Sequence, residues 1–369
     1  MLPRSRRSPA RRAARCGVTF HACIRPPEPA VPSHPRDALF DPEDLSVPAL
    51  PVCDHYAGVE PRMSKSLQLQ AELGPVFDVT LDNEDGAPVG REVEHARLIA
   101  GLLGGPLNRF GRVGVRLLPV GHPAFGDVAA IVLGAARRPA YLMIPKPRGV
   151  ACIDAAARTV DRLGGADVPL HALVETHGAL AAVHALAAHP RIESLSFGLM
   201  DFVSAHRGAI PQWAMSAEGQ FEHPLVVRAK LEIAAACHAH GKVPAHGVVT
   251  EFKDSAALAE AARKAVELLG CTRMWSIHPS QVRTIVAAFA PAAAEVAQAV
   301  TILQAAEAAD WAPIRYQHGH HDGQADILHD RASYRYFWQV LQRAERTRLA
   351  GAAGLPEAVR KAWFDTGAG

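Results

Sequence analysis

At 369 residues, 49% hydrophobic and 21% charged, the chain is longer than a typical domain but within the span of one α/β barrel with insertions. A formal net charge of +2 offers no bulk basic surface for nucleic acid or for a membrane. No run approaches about 18 unbroken apolar residues, so a membrane span is not expected.

The first fifteen residues, "MLPRSRRSPARRAAR", carry six Arg and no acid. They resemble a transit peptide superficially but read better as an unstructured leader. Pro and Arg stay frequent to residue 50, so residues 1–50 are expected to be a disordered Arg/Pro-rich leader, with folding beginning near Val52. The six cysteines (Cys16, Cys23, Cys53, Cys152, Cys237, Cys271) form no C-x-x-C pair. They read as free thiols of a cytoplasmic protein.

From residue 51, eight short apolar runs alternate with Ala-rich helical stretches, the pattern of βα units around a parallel sheet. The runs span 51–58, 76–82, 113–119, 140–146, 170–175, 194–201, 242–248 and 273–279, the first and seventh being weak as strands alone. Eight of them predict a closed TIM (β/α)8 barrel over 51–290. Between them, "SAALAEAARKAVELL" follows Asp254 with an apolar stripe at helical spacing and stops at Gly270. "IDAAARTVDRLGG" and "LAAVHALAAHP" have the same character. Residues 291–369 are expected to form a helical C-terminal lid or oligomerisation region, with helices at "PAAAEVAQAVTILQAAEAADW" and "ASYRYFWQVLQRAERTRLA" around a Gly/His-rich loop.

In such a barrel the chemistry sits at the C-terminal strand ends. Those positions hold His55, Asp82 with Glu84 and Asp85, Arg116, Lys146, Glu175, Asp201, His246 and His278. One acid after a strand is commonly a helix cap. Glu175 and Asp201, however, end adjacent runs 26 residues apart and would point into one mouth. Two carboxylates without a nearby Cys or tight His pattern suit a hard cation such as Mg2+. Arg116 lies in an apolar strand and needs an anion: a substrate carboxylate, a developing oxyanion, or the carboxylates of Glu84 and Asp85.

The ordered motifs "LDNEDG", "VRLLP", "MIPKP", "VETHGAL", "FGLMDF" and "WSIHPSQV" resemble those of the HpcH/HpaI aldolase and citrate lyase beta-subunit family, over about Val52 to Phe289. The Ile277-His-Pro-Ser-Gln281 segment favours the CoA-ester lyase branch. The resemblance implies Mg2+ on Glu175 and Asp201, substrate contact by Arg116, and Glu84 and Asp85 orienting Arg116 and metal-bound waters. It implies cleavage of a 3-hydroxyacyl-CoA, such as malyl-CoA or citryl-CoA, into acetyl-CoA and a 2-oxo acid. It also implies a homotrimer or hexamer in which a C-terminal Asp enters a neighbour's site. Here that acid is expected to be Asp330, with Asp326 second. His246 stands where the family commonly has an Asp.

Two other readings stay open: a metal-dependent class II aldolase acting on 2-oxo acids without CoA, and a catalytically impaired acyl-CoA-binding homologue. Several features carry a plainer reading. His318, His320, His321 and Asp322 suit a solvated loop better than a zinc site. His278 reads as holding the barrel floor or a loop. A Schiff base at Lys146 is disfavoured beside the paired acids. Tyr334, Tyr336, Phe337 and Trp338 form an aromatic patch suited to the core or a subunit interface.

Overall fold

The computed structural model describes residues 34–41, 48–316, 327–349 and 354–365. All eight apolar runs contain strands: β1 (Cys53–Ala57), β2 (Phe77–Asp82), β3 (Val113–Arg116), β4 (Leu142–Ile144), β5 (Leu170–Val174), β6 (Ile192–Phe197), β7 (Val243–His246) and β8 (Arg273–Ser276). Each pairs in parallel with the next, and β8 pairs back to β1, closing a TIM barrel. The sixth run is placed differently from the sequence expectation. Its strand begins at Ile192 and ends at Phe197, so Asp201 lies in the first turn of helix α8 (Leu199–Ala205).

The outer layer forms where local chemistry starts and stops helices. Asp254 caps α10 (Ser255–Glu267) by accepting from the backbone N–H groups of Ala256 and Ala257, a cap worth about 1 kcal/mol. The "IHPSQ" segment opens α11 (Pro279–Phe289) with a proline in the first turn and a capping box. Gln281 Oε1 accepts from the N–H groups of Ile277 and His278, while its Nε2 donates to the carbonyls of Val249 and Glu251. One buried amide thereby ties the β7 and β8 loops together.

Side chains fill the barrel interior in three layers. At the floor Arg273 donates to Asp78 at 2.6 Å and pairs with Asp54 at 3.1 Å, all three being essentially fully buried. Arg112 grips the same Asp78 through two hydrogen bonds, and the Thr80 and Tyr141 hydroxyls donate to Asp54. Gly114 faces this layer because a Cβ there would lie 2.2 Å from the Tyr141 ring. Tyr56, Met143, Leu173, Ala245 and Trp275 make an apolar middle layer. Above it lies the charged mouth described below. Asp54, Asp78 and Arg273 lie inside strands, not at their C-terminal ends, so the strand-end pattern gives no sign of this ionic floor.

The C-terminal region carries its own core. Helices α12 (Ala293–Ala308), α13 (Arg331–Arg346) and α14 (Glu357–Trp363) bury Ile302, Leu303, Tyr334, Phe337, Trp338 and Leu341. A two-stranded antiparallel ribbon, β9 (Ile314–Tyr316) and β10 (Ile327–His329), links α12 to α13 and was not expected. Of the aromatic patch, Tyr334, Phe337 and Trp338 are core, and Tyr336 is exposed.

Within the expected leader, helix α1 (Pro35–Leu39) is ordered against this cap. Its Leu39 is fully buried there, and the Leu39 carbonyl accepts from Arg331 and Arg335. The expectation of disorder throughout residues 1–50 therefore does not hold for this helix, whose apolar side chain finds its partner some 300 residues away. Trp338 and Val340 of α13 share a cleft of about 1330 Å³ with Val52, Val243, Pro244 and Thr272, which lie at the N-terminal ends of the strands. The cap thus sits at the end of the barrel opposite the mouth.

Among the described residues no single helix is long and apolar enough to cross a membrane. Cys53, Cys152, Cys237 and Cys271 are free thiols; Cys16 and Cys23 lie outside the described residues.

Candidate active site

The parallel register of β2 and β3 sets Asp82 directly beside Arg116. The side chains meet in a bidentate pair, Nε to Oδ1 at 2.7 Å and Nη2 to Oδ2 at 2.5 Å. Asp82 also accepts from the N–H groups of Glu84 and Gly86, folding the loop back over the strand end. That loop presents Glu84 to Arg116 Nη1 at 3.2 Å. The main partner of Arg116 is therefore Asp82, not the expected Glu84 and Asp85. Asp85 instead binds Lys146 Nζ at 2.7 Å. Burial works against the Arg116 charge, yet the Asp82 carboxylate holds its pKa above the usual value. Asp82 takes two of the five guanidinium N–H groups and Glu84 pairs with the Nη1 end, so N–H groups remain for a ligand. Tyr56 lies beneath, its ring centroid 5.4 Å from the guanidinium carbon and 4.1 Å from that of Trp275.

Lys146 joins this half of the mouth to the other. Its Nζ donates to Glu84 at 2.6 Å and lies 3.9 Å from Asp201, and its backbone N–H donates to Glu175 Oε1 at 2.7 Å. Glu175, just past β5, is 3% exposed. Thr176 fixes its position by donating to the Pro147 carbonyl and capping α6 (His177–Ala181). Burial, with the Asp201 carboxylate nearby, pushes the Glu175 pKa up to about 8. Burial also raises Glu84. At Asp85 burial is outweighed by the Lys146 ammonium, and its pKa is lowered. Gly198 makes room for Glu175, since a Cβ there would lie 2.1 Å from Oε2.

The structure thus brings Glu84, Asp85, Arg116, Glu175 and Asp201 to one mouth and adds Asp82 and Lys146. Asp82 was legible as part of "LDNEDG". The joining role of Lys146 was not, because it depends on a backbone turn.

Three histidines leave the expected ring. β7 sends Ala245 inward and His246 outward, where its Nε2 meets Lys230 Nζ at 2.8 Å under a stacked Phe221. His55 likewise faces outward and bonds Ser276 Oγ at 2.9 Å. His278 caps α11 in a loop at the mouth end, not at the floor, and stacks on Phe252. His246 therefore does not replace an acid in the mouth.

Asp330 is not in the mouth of its own chain. Its carboxylate accepts from Ala332 and Ser333 as the N-cap of α13. Asp326 and the loop residues His318, His320, His321 and Asp322 lie outside the described residues. Among the described residues no group of three or more His, Cys, Asp or Glu is gathered as a ready-made metal cage.

No family model matches the chain. It is 30% identical over 248 residues to the L-malyl-CoA/beta-methylmalyl-CoA lyase of Cereibacter sphaeroides strain ATCC 17029, covering 63% of this chain and 77% of that protein. For the same-named enzyme of strain ATCC 17025 the identity is 32% over 200 residues, half of this chain, and the match spans 62% of that protein. The crystal structure of a citrate lyase from Burkholderia xenovorans LB400 matches with 53% identity and a TM-score of 0.73, covering 88% of this chain and 97% of that one. The fold extends to the protein CitE from Mycobacterium tuberculosis, solved with magnesium, acetoacetate and coenzyme A, at 21% identity and a TM-score of 0.60 over 80% of this chain and 99% of that one. With a closed eight-stranded barrel and relatives of this similarity, the chain belongs to the HpcH/HpaI aldolase and citrate lyase beta-subunit family of CoA-ester lyases.

Proposed function

We propose that this protein is a Mg2+-dependent carbon–carbon lyase that cleaves, or in reverse forms, a 3-hydroxyacyl-CoA, yielding acetyl-CoA and a 2-oxo acid. The observation that carries the reading is the charge make-up of the mouth. Among the described residues, five carboxylates, Asp82, Glu84, Asp85, Glu175 and Asp201, meet two cations there, Arg116 and Lys146. A divalent ion offsets most of that excess, and an all-oxygen donor set suits a hard one.

Glu175 and Asp201 would hold the ion. When bound it supplies Lewis-acid polarisation of a substrate oxygen. Arg116 directs its remaining N–H groups at the oxygen on which negative charge develops, held in aim by Asp82 and Glu84. Glu84 and Asp85 anchor the Lys146 ammonium. The stacked Tyr56 and Trp275 of the middle layer close the base of the mouth against water.

Asp330 is proposed as the acid/base group of a neighbouring copy's site, in a homotrimer or hexamer. Its helix packs at the far end of its own barrel, so the carboxylate would serve only in trans.

The test is to incubate the protein with Mg2+ and malyl-CoA, beta-methylmalyl-CoA, citramalyl-CoA or citryl-CoA and follow the release of free 2-oxo acid. Cleavage of at least one, lost in Glu175→Gln and Asp201→Asn, is the expected result. Thermal stabilisation by pyruvate or oxaloacetate with Mg2+, without cleavage of any CoA ester, would instead favour a 2-oxo acid aldolase. Binding of acyl-CoA with no cleavage of any substrate would mark a non-catalytic homologue.

A further inference from the structure

Lys146 is held in a conformation that nothing in its own sequence favours. Its φ is +50, in the left-handed region, although it is not a glycine and Pro147 follows it. A backbone outlier of this kind persists only where the surroundings enforce it. Here the turn aims one residue in two directions at once. The N–H reaches Glu175 Oε1 at 2.7 Å, and the ammonium reaches Glu84 at 2.6 Å and Asp85 at 2.7 Å. The loop is braced from both sides. Thr176 Oγ1 donates to the Pro147 carbonyl at 2.6 Å, and Gly178 lets its helix approach so closely that a Cβ would lie 2.2 Å from the Arg148 carbonyl oxygen.

The ammonium also lies 3.9 Å from Asp201 Oδ1, beyond a hydrogen bond but within ion-pair range. It is therefore shared among carboxylates from the β2 loop and the first turn of α8, while the backbone of the same residue sets the Glu175 carboxylate. We infer that Lys146 is an internal counter-cation and positioning residue: its ammonium competes with the divalent ion for Asp201, and its N–H orients Glu175 to receive that ion. This inference rests on the proposed metal site at Glu175 and Asp201. On loading, the ammonium withdraws from Asp201 and remains on Glu84 and Asp85. The site then does not leave Arg116 as the sole counter-charge to five carboxylates when the ion is absent.

A residue that merely stabilised the loop would weaken metal binding and turnover together on removal. A counter-cation gives the opposite split. Lys146→Asn keeps a side chain tolerant of positive φ and leaves the backbone N–H in place, and Lys146→Gln is a second, independent removal. Mg2+ affinity is read by isothermal titration of the full-length protein without substrate, with thermal unfolding to confirm the fold and kcat/KM measured separately on the cleaved CoA ester.

Both variants are expected to bind Mg2+ more tightly, on the order of tenfold, because a nearby positive charge has gone. Their kcat/KM falls as Glu84 and Arg116 lose alignment, and Lys146→Arg stays near wild type in metal affinity. Unchanged or weaker Mg2+ binding in folded Lys146→Asn and Lys146→Gln overturns the inference. The underlying site is tested by Glu175→Gln and Asp201→Asn in the same titration. If those retain full affinity the metal-site reading falls, whereas loss there with no gain at Lys146 removes only the counter-cation role.

Discussion

Gly198→Ala isolates the geometry on which the proposed metal site depends. Gly198 has φ −92 and ψ 85, so alanine adds no left-handed strain, and the new methyl alone decides the outcome. That Cβ would lie 2.1 Å from Glu175 Oε2, 2.5 Å from its Cβ and 3.0 Å from its Cδ. Against an ordinary contact of 3.4 Å, the first distance is 1.3 Å short. Glu175 is 3% exposed and held by the Lys146 N–H, so it cannot swing into solvent and must shift within the site. A displacement of about 1 Å in a reacting constellation costs roughly 10²-fold in rate, or about 2.7 kcal/mol at 1.36 kcal/mol per decade. Mg2+ affinity by calorimetry and kcat/KM on the cleaved CoA ester are therefore expected to fall by about two decades. A folded Gly198→Ala protein whose Mg2+ affinity stays within about twofold of wild type would refute the placement of Glu175 as a ligand.

Further outcomes follow from other layers of the barrel. Arg273→Met leaves Asp54 buried with only hydroxyl partners and should cost about 3–5 kcal/mol in a urea titration, with Asp54→Asn recovering part of it; a loss below about 1 kcal/mol would show that the floor network is dispensable. Burial lowers the Lys230 pKa from 10.5 to about 7, so between those values the unfolded chain binds more protons and stability rises with pH. A shift of that size is worth on the order of 5 kcal/mol, and Lys230→Met should flatten the slope over that window, whereas parallel wild-type and variant curves would contradict it. Asp330→Ser retains an N-cap for α13 and should unfold within about 0.5 kcal/mol of wild type while losing turnover. Full activity would exclude Asp330 as the acid and turn attention to Asp326.

The eight strands were legible because a buried parallel strand must be a short apolar run, and the loops after it carry the polar residues. Asp82 and Arg116 end their strands, Glu84, Lys146 and Glu175 follow theirs, and the six ordered motifs that include them carried the family resemblance. What a linear reading missed is which way each side chain faces, because strand alternation shows only once the register is fixed. His246 ends β7 just as Arg116 ends β3, and His55 lies within β1, yet their neighbours Ala245 and Tyr56 take the interior and turn both histidines outward. The floor salt bridges among Asp54, Asp78 and Arg273 were hidden for the same reason, since mid-strand charges look costly until their partners are known.

Composition and periodicity by themselves determined the barrel, the strand-end ring and a helical C-terminal region. Only the tertiary structure decided that Asp82 clamps Arg116, that Asp201 projects from a helix and that α1 packs on the C-terminal cap. It alone turned Lys146 through a left-handed backbone to join Glu84 to Glu175, and set the cap at the far end of the barrel. Local propensity acts over a few residues, whereas these contacts join loops 30 to 300 residues apart, and the closed sheet alone brings them within hydrogen-bonding reach.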